Sequence, residues 1–512
     1  MHNVQWILLL LLAAALLVRV ADLGKIPSPI VLVVGGLAIA LIPGLPTVEL
    51  EPDVIFLVFL PPLVYAAGWR TSPQELRAVM RPLGFLAIGL VFLTAAAVAV
   101  VAHLTVPGLS WAEAAVLGAV LAPTDAVAAT AIFSRLGAPE RVRLVVEGES
   151  MINDGTALVI YRIAVGVATG SAFSFGGAAL EFVGVSLGGI AVGIAVGFLS
   201  DLIIRRQTDS GLSIFLSILT ASGAYIGAEE LHVSGILAAV VAGVYAGYRS
   251  PVALDADIRL NAVAFWSVLV FGLEISLFVL LGLQLPGVVD TLNASSSGVG
   301  ELLWPVVAIA LASIGVRLAF VLAMRNDAGE NFGERFAIGW SGMRGAVSLA
   351  AALAVPLDVP GRPQIIFLTF ALILVTLVGQ GLSLPFVVRA LRLEEPRRWS
   401  DEEAVARMEA AQAALDRLDE MENEERASEA QLNRLRDLYR GRFRMCQAVL
   451  GGGDPATAAR EQRIADYGEL RRELIGVERE ELLNLRGNGR LRPPTQRQIE
   501  RDLDLEEARI RA

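Results

Sequence analysis

Between residues 4 and 388 long apolar runs alternate with short polar connections. Thirteen runs of about 15–26 residues lie near 4–18, 29–43, 54–68, 82–102, 112–133, 143–168, 180–203, 212–228, 233–248, 260–286, 301–323, 334–356 and 364–388. A helix needs roughly 20 apolar residues to cross the hydrocarbon core. The pattern therefore predicts an all-α polytopic membrane protein with 13 transmembrane helices. From residue 394 the pattern changes. Asp401 to Leu450 is rich in Ala, Glu, Arg and Leu and nearly free of breakers. GGGDP at 451–455 ends it, a second helix is expected over 457–486, and RPP at 492–494 precedes a third. The expected division is a transmembrane domain over 1–393 and a soluble helical tail over 394–512.

The polar connections give an independent check. Numbered in order, the odd connections hold Arg19 and Lys25; Arg70, Arg77 and Arg81; Arg135, Arg141 and Arg143; Arg205 and Arg206; Arg249 and Arg259; Arg325 and Arg335. The chain leaves the last run through Arg389 and Arg392, and the even connections hold only Arg362. Cytoplasmic loops carry the basic excess. The alternation predicts an N-terminus outside and a tail in the cytoplasm. It would break at any miscounted helix. The first run has no basic segment before it and is followed by Arg19 and Lys25, the pattern of a first helix inserted N-out rather than a cleaved signal.

Composition agrees with this division. The chain is 55% hydrophobic and 18% charged, against about 25% charged for soluble domains. Met1 to Leu393 holds 20 Lys+Arg and 25 Asp+Glu, whereas the last 119 residues hold 22 and 27. A net charge of −10 argues against a nucleic-acid partner. With Cys446 as the single cysteine, no intrachain disulfide forms.

Against this apolar background a few polar residues stand out. Residues 147–162 read EGESMINDGTALVIYR, with Glu149, Asn153, Asp154 and Arg162 inside one spanning run. A charged side chain at bilayer depth costs about 2.5–3.5 kcal/mol on insertion scales and is a functional candidate by default. At about 1.5 Å rise per residue, Asp154, the Thr124-Asp125 pair and Arg344 all fall near the middle of their runs. Breakers accompany two of them: Pro123 precedes Thr124, and Gly339, Gly342 and Gly345 surround Arg344. Broken helices meeting at the midplane free carbonyls and expose half-helix ends for ion binding, the arrangement of secondary transporters with inverted repeats. Ser150 and Asp154 share one face of the sixth helix; Glu149 and Asn153 share the next. Hydroxyl and carboxylate oxygens are hard ligands that suit Na⁺, Li⁺ or a hydronium ion. His2, His103 and His232 are scattered and form no site.

These motifs resemble the sodium/proton exchangers of the monovalent cation:proton antiporter family, in their NhaP/NHE-like branch. GESMINDGTALVIY is similar to the family's Asn-Asp motif, APTDAVAAT to the preceding helix motif, and SGMRGAVSLA to the Gly-x-Arg-Gly-Ala motif. FLPPLVYAAGW and FWSVLVFGLEISLFVLLGLQL resemble the third and tenth helices. The resemblance covers about residues 5–393. It implies that Asp154 binds cation and proton alternately, with Ser150 and the Thr124 carbonyl completing the cation shell. It implies that Asp125 balances half-helix ends and holds Asn153 and Thr124, and that Glu149 and Arg344 form a buried ion pair. It further implies a homodimer through the membrane domain, residence in the cell (inner) membrane, and no cofactor beyond the transported Na⁺ or Li⁺ and H⁺. Many relatives carry an acidic residue where this chain has Ala66. Electrogenic relatives carry a second carboxylate where it has Asn153.

The expected function is Na⁺ (or Li⁺) exchange for H⁺, electroneutral at 1:1, with K⁺/H⁺ exchange as the alternative. A channel is the weaker reading, since no carbonyl filter such as TVGYG occurs. An enzyme is weaker still, since neither a Gly-x-Ser-x-Gly elbow nor His-Glu-x-x-His occurs. Structural roles are expected for Arg317 as a tether to a neighbouring helix, for Arg162 as a snorkelling side chain, and for Gly188, Gly189, Gly193 and Gly197 as a close-packing surface. For Glu274, helix contact competes with gating. The tail reads as a solvated helical hairpin that aids assembly, or as a regulatory domain.

Overall fold

Local caps and breakers turn the apolar runs into discrete helices. In a computed structural model, residues 2–24, 26–42, 51–293, 298–324, 331–393, 401–424 and 428–450 are described, with scattered positions from 471 to 507. Among them there is no strand. Besides two short helices, Pro73–Ala78 and Leu285–Asn293, the helices in order are α1 (His2–Gly24), α2 (Ser28–Ala40), α3 (Pro52–Arg70), α4 (Met80–Thr105), α5 (Trp111–Leu121), α6 (Ala126–Leu136), α7 (Glu140–Ala168) and α8 (Phe175–Ile204). They continue as α9 (Ser210–Glu230), α10 (Gly235–Ala253), α11 (Ala256–Leu283), α12 (Val299–Ala323), α13 (Phe332–Trp340), α14 (Ala346–Leu353) and α15 (Arg362–Ala390). α5 starts with a capping box: Glu113 N–H donates to Ser110 Oγ at 3.3 Å and Ser110 N–H to Glu113 Oε2 at 2.7 Å. α6 stops at Gly137, whose φ of 67° is the left-handed C-cap that glycine adopts freely.

Among the described residues, ten helical stretches are long and apolar enough to cross a membrane, α5 and α6 counting as one, and α2 is a shorter apolar helix. The fold is therefore the all-α, multi-pass arrangement that the sequence predicts. The run over 334–356 divides into α13 and α14 around its glycines, as the breakers beside Arg344 predict. α3 and α4 each contain a π-helical stretch, Ile55–Phe59 and Phe85–Leu90. Such widened turns recur at functional sites.

The densest packing sorts the membrane helices into two groups. In one, α4, α5, α6, α7, α12, α13 and α15 pack on each other; in the other, α8, α9 and α10 pack together with α3, while α11 lies along α2. The glycines of α8 behave as expected. A Cβ on Gly189 or Gly193 would press on the carbonyls of Ser234 or Ala238, so only glycine lets α8 approach α10 so closely.

The chain divides into two compact units, Met1–Glu395 and Pro396–Ala512. In the second, α16 (Asp401–Asn423) and α17 (Glu429–Leu450) pack on each other, with Arg436 pairing to Asp419 at 2.7 Å and to Glu422. Ala404, Ala411 and Leu418 recur every seven residues and are all buried, a coiled-coil-like seam. Cys446 is buried and free. Most of the helix expected over 457–486, and the RPP segment, lie outside the described residues.

Candidate cation-exchange site

Two helix breaks meet. Residues 122–125 interrupt α5 and α6, and residues 341–345 interrupt α13 and α14. The Asp125 N–H donates to the Met343 carbonyl at 2.8 Å, so the two extended stretches touch through their backbones. Asp125 caps α6, its Oδ1 accepting the Val127 N–H at 2.8 Å. A Cβ on Gly345 would fall on the Asp125 carboxylate. The absence of a side chain there lets the same carboxylate lie against the start of α14. Each helix N-terminus carries about half a positive charge, and one carboxylate faces two of them.

The opposite charge sits at the opposite ends. Arg344 donates through Nε to the Leu121 carbonyl at 3.0 Å, at the end of α5. Its Nη1 donates to the Gly342 carbonyl just past α13, and its Nη2 to Ser313 Oγ. A guanidinium thus meets the carbonyl ends of both half-helices, where the dipole is negative.

α7 passes beside this crossing and presents two buried carboxylates with different surroundings. Glu149, 1% exposed, binds Arg317 of α12 through both oxygens: Nη1 to Oε1, and Nη2 to Oε2 at 2.8 Å. Thr124 Oγ1 donates to Glu149 Oε1 at 3.2 Å, and Arg317 Nη2 also reaches the Ile338 carbonyl at 3.1 Å. Asp154, 8% exposed, has no hydrogen-bond or ion-pair partner among the described residues. Between them, Asn153 Nδ2 donates to Thr124 Oγ1 at 2.9 Å and to its carbonyl at 3.4 Å, tying α7 to the first break. Ser150 Oγ accepts the Ala126 N–H at 3.3 Å.

This corrects one expectation. Glu149 pairs with Arg317 and not with Arg344, whose donors are taken by carbonyls and a hydroxyl. The reason is depth. With alternating helix directions, Glu149 lies six residues from the basic-loop end of its run at 143, and Arg317 six from the basic-loop end of its run at 323. Arg344 lies near the middle of its own run. The count was available in the sequence. Arg317 does tether a neighbouring helix, as expected, and Glu149 is what it holds. Asp125 N–H and carboxylate organise the two breaks, while Asn153 is held by Thr124.

A cavity of about 580 Å³ lies at the crossing. Thr124, Asp125, Ser150 and Asp154 line it from α5–α7, with Ser348 of α14 and Glu274 of α11. It also reaches Arg70, Glu140 and Arg143, on connections that the basic-loop pattern assigns to the cytoplasmic side. Glu274 is thus a cavity residue. Ala66 lines the same cavity and supplies no carboxylate there.

Outside the cavity, embedded charges are paired. Arg162 of α7 does not simply snorkel: it pairs with Glu229 of α9, whose Oε1 also accepts the Gly235 N–H at the start of α10 at 3.1 Å. Arg249 pairs with Asp201 at 3.3 Å.

Crossed, broken helices around a buried carboxylate define the chain as a membrane transporter of the secondary kind. Residues 7–390 match the family described as sodium/hydrogen exchanger, transmembrane, and the chain belongs to that family. It is 36% identical over 95% of its length to an uncharacterised Na⁺/H⁺ exchanger of Mycobacterium bovis, covering 92% of that protein. It is 32% identical to the Na⁺/H⁺ antiporter NhaS2 of Synechocystis, over 77% of this chain and 71% of the relative. A sodium, potassium, lithium and rubidium/H⁺ antiporter of Bacillus subtilis is 33% identical over 71% of this chain and 58% of its own length. Among solved structures, the sodium proton antiporter MjNhaP1 of Methanocaldococcus jannaschii has the same fold, with a TM-score of 0.61 at 20% identity over 77% of this chain and 99% of that one.

Proposed function

We propose that this protein exchanges Na⁺ or Li⁺ for H⁺ across the cell membrane, one for one, by alternating access around Asp154. The observation that carries the reading is the unpartnered Asp154 carboxylate in a cavity where two broken helices cross. The charges at the crossing itself are engaged: Glu149 by Arg317, Asp125 by helix starts, and Arg344 by helix ends. Asp154 is left free for a ligand. As an anion it holds one Na⁺ or one proton, never both. Ser150 Oγ and the Thr124 carbonyl each accept one hydrogen bond and keep a lone pair for the cation. Asn153 cannot take a proton, so the loaded site carries the same charge with either ligand. Its work is positional, keeping Thr124 against α7. Asp125 and Arg344 stabilise the breaks by matching the half-helix dipoles.

The basic-loop pattern supports an N-terminus outside and a cytoplasmic tail, so the cavity faces inward. The tail serves assembly or regulation, and the membrane domain pairs as a homodimer. K⁺/H⁺ exchange is the second reading, favoured by the potassium in the name of the Bacillus subtilis relative. The test is proton flux in proteoliposomes driven by Na⁺, Li⁺ or K⁺. Wild type exchanges Na⁺ and Li⁺, and Asp154→Asn inserts normally but does neither. Substantial Na⁺/H⁺ exchange by purified Asp154→Asn would sink the assignment. A K⁺ response equal to that for Na⁺ would select the second reading.

A further inference from the structure

The membrane domain places a second unpartnered carboxylate in the same cavity. Glu274 lies near the middle of α11, half-buried, and lines the cavity together with Asp154. It has no hydrogen bond or ion pair among the described residues. That is unusual here: Glu149, Asp201 and Glu229 each hold an arginine, and Asp125 caps a helix. A buried carboxylate without a partner is expensive, and helix packing gives it no return at this position. The two carboxylates also belong to different groups of helices. Asp154 is on α7, packed with the crossing helices, whereas α11 lies along α2.

We propose that Glu274 is a cation-capture residue of the exchange, an acidic group that concentrates monovalent cations in the cavity and delivers them to Asp154. The inference rests on the reading of Asp154 as the exchanging carboxylate. A charged wall bounded by low-dielectric protein focuses the field inward and raises local counter-ion concentration by roughly 10–10³-fold. The cavity walls carry Arg70 and Arg143 as well as Glu140. Asp125, Glu147 and Asp154 line it too, so acids outnumber arginines, and removing the Glu274 charge weakens the attraction a cation meets. Asp154 must exchange ligands in every cycle; Glu274 lines the same cavity from a different group of helices. Its contribution is to cation capture and not to the turnover step.

The test separates capture from turnover. Na⁺-dependent proton flux is measured in proteoliposomes for wild type, Glu274→Gln, Glu274→Asp and Asp154→Asn. We expect Glu274→Gln to raise the KM for Na⁺ by about tenfold with maximal rate and melting temperature unchanged. Glu274→Asp, which keeps the charge, should return KM toward wild type. Adding choline to raise ionic strength should narrow the KM gap, because screening weakens a fixed field. An unchanged KM in Glu274→Gln would overturn the proposal. So would a lost maximal rate at unchanged KM, or a protein that no longer folds, since these make Glu274 part of the moving site or of the scaffold. Failure of the Asp154 reading is distinct: there Asp154→Asn itself remains active.

Discussion

Glu149 and Asp154 are five residues apart on one helix, both buried, and chemically alike. Their neighbourhoods separate them. The Glu149 region is closed: two guanidinium nitrogens and a threonine hydroxyl fill its acceptor sites. The Asp154 region opens on a cavity and offers no fixed donor. Embedded charge in this membrane domain therefore does two jobs. A carboxylate that is matched holds helices together, and one left unmatched is available to a mobile cation or proton. The same rule divides the arginines, since Arg317 matches a charge while Arg344 matches helix ends.

The largest effect should come from unmatching the closed region. Removing one partner of a buried pair costs about 3–5 kcal/mol, so Arg317→Ala should melt well below wild type in detergent or fail to accumulate. Combining it with Glu149→Gln should recover part of the loss, because no lone charge then remains. A wild-type melting profile for Arg317→Ala would show that the clamp is not structural.

Arg344→Ala should destabilise less than Arg317→Ala. It strands carbonyls at helix ends and leaves no opposite charge; unsatisfied acceptors cost about 1–3 kcal/mol. Side-by-side melting curves decide the order, and the reverse order would mean that Glu149 depends on Arg344 after all.

The sequence carried most of this fold because apolar run length, loop charge and breakers are local signals. Pro123 and the glycines around Arg344 marked both breaks. Two features were not legible in the same way. The partner of Glu149 depends on which helix lies beside α7, a tertiary fact. The motif resemblance pointed to Arg344, whereas depth along each run favoured Arg317. Glu274 was visible as an embedded acid, but its cavity position depends on how α11 turns.

Smaller effects should follow away from both regions. Arg162 and Glu229 are each about a third exposed, at 37% and 33%. Such pairs contribute about 0–1 kcal/mol, so Arg162→Ala should shift the melting profile little. A loss as large as that of Arg317→Ala would place a third matched charge among the essential clamps. Deleting residues 400–512 should leave exchange intact, because the membrane unit is compact without them. Complete inactivity of the truncated protein at normal membrane levels would make the tail part of the core machine.

The central claim is that one carboxylate, Asp154, exchanges ligands while Glu149 and Asp125 stay fixed. One titrating site per cycle moves one charge in each direction. The membrane potential of proteoliposomes can be clamped with K⁺ and valinomycin while Na⁺-driven proton flux is recorded. The account predicts flux that does not change with voltage and no steady-state charge movement on a solid-supported membrane. A clear voltage dependence would contradict it and require a second carboxylate to titrate with Asp154.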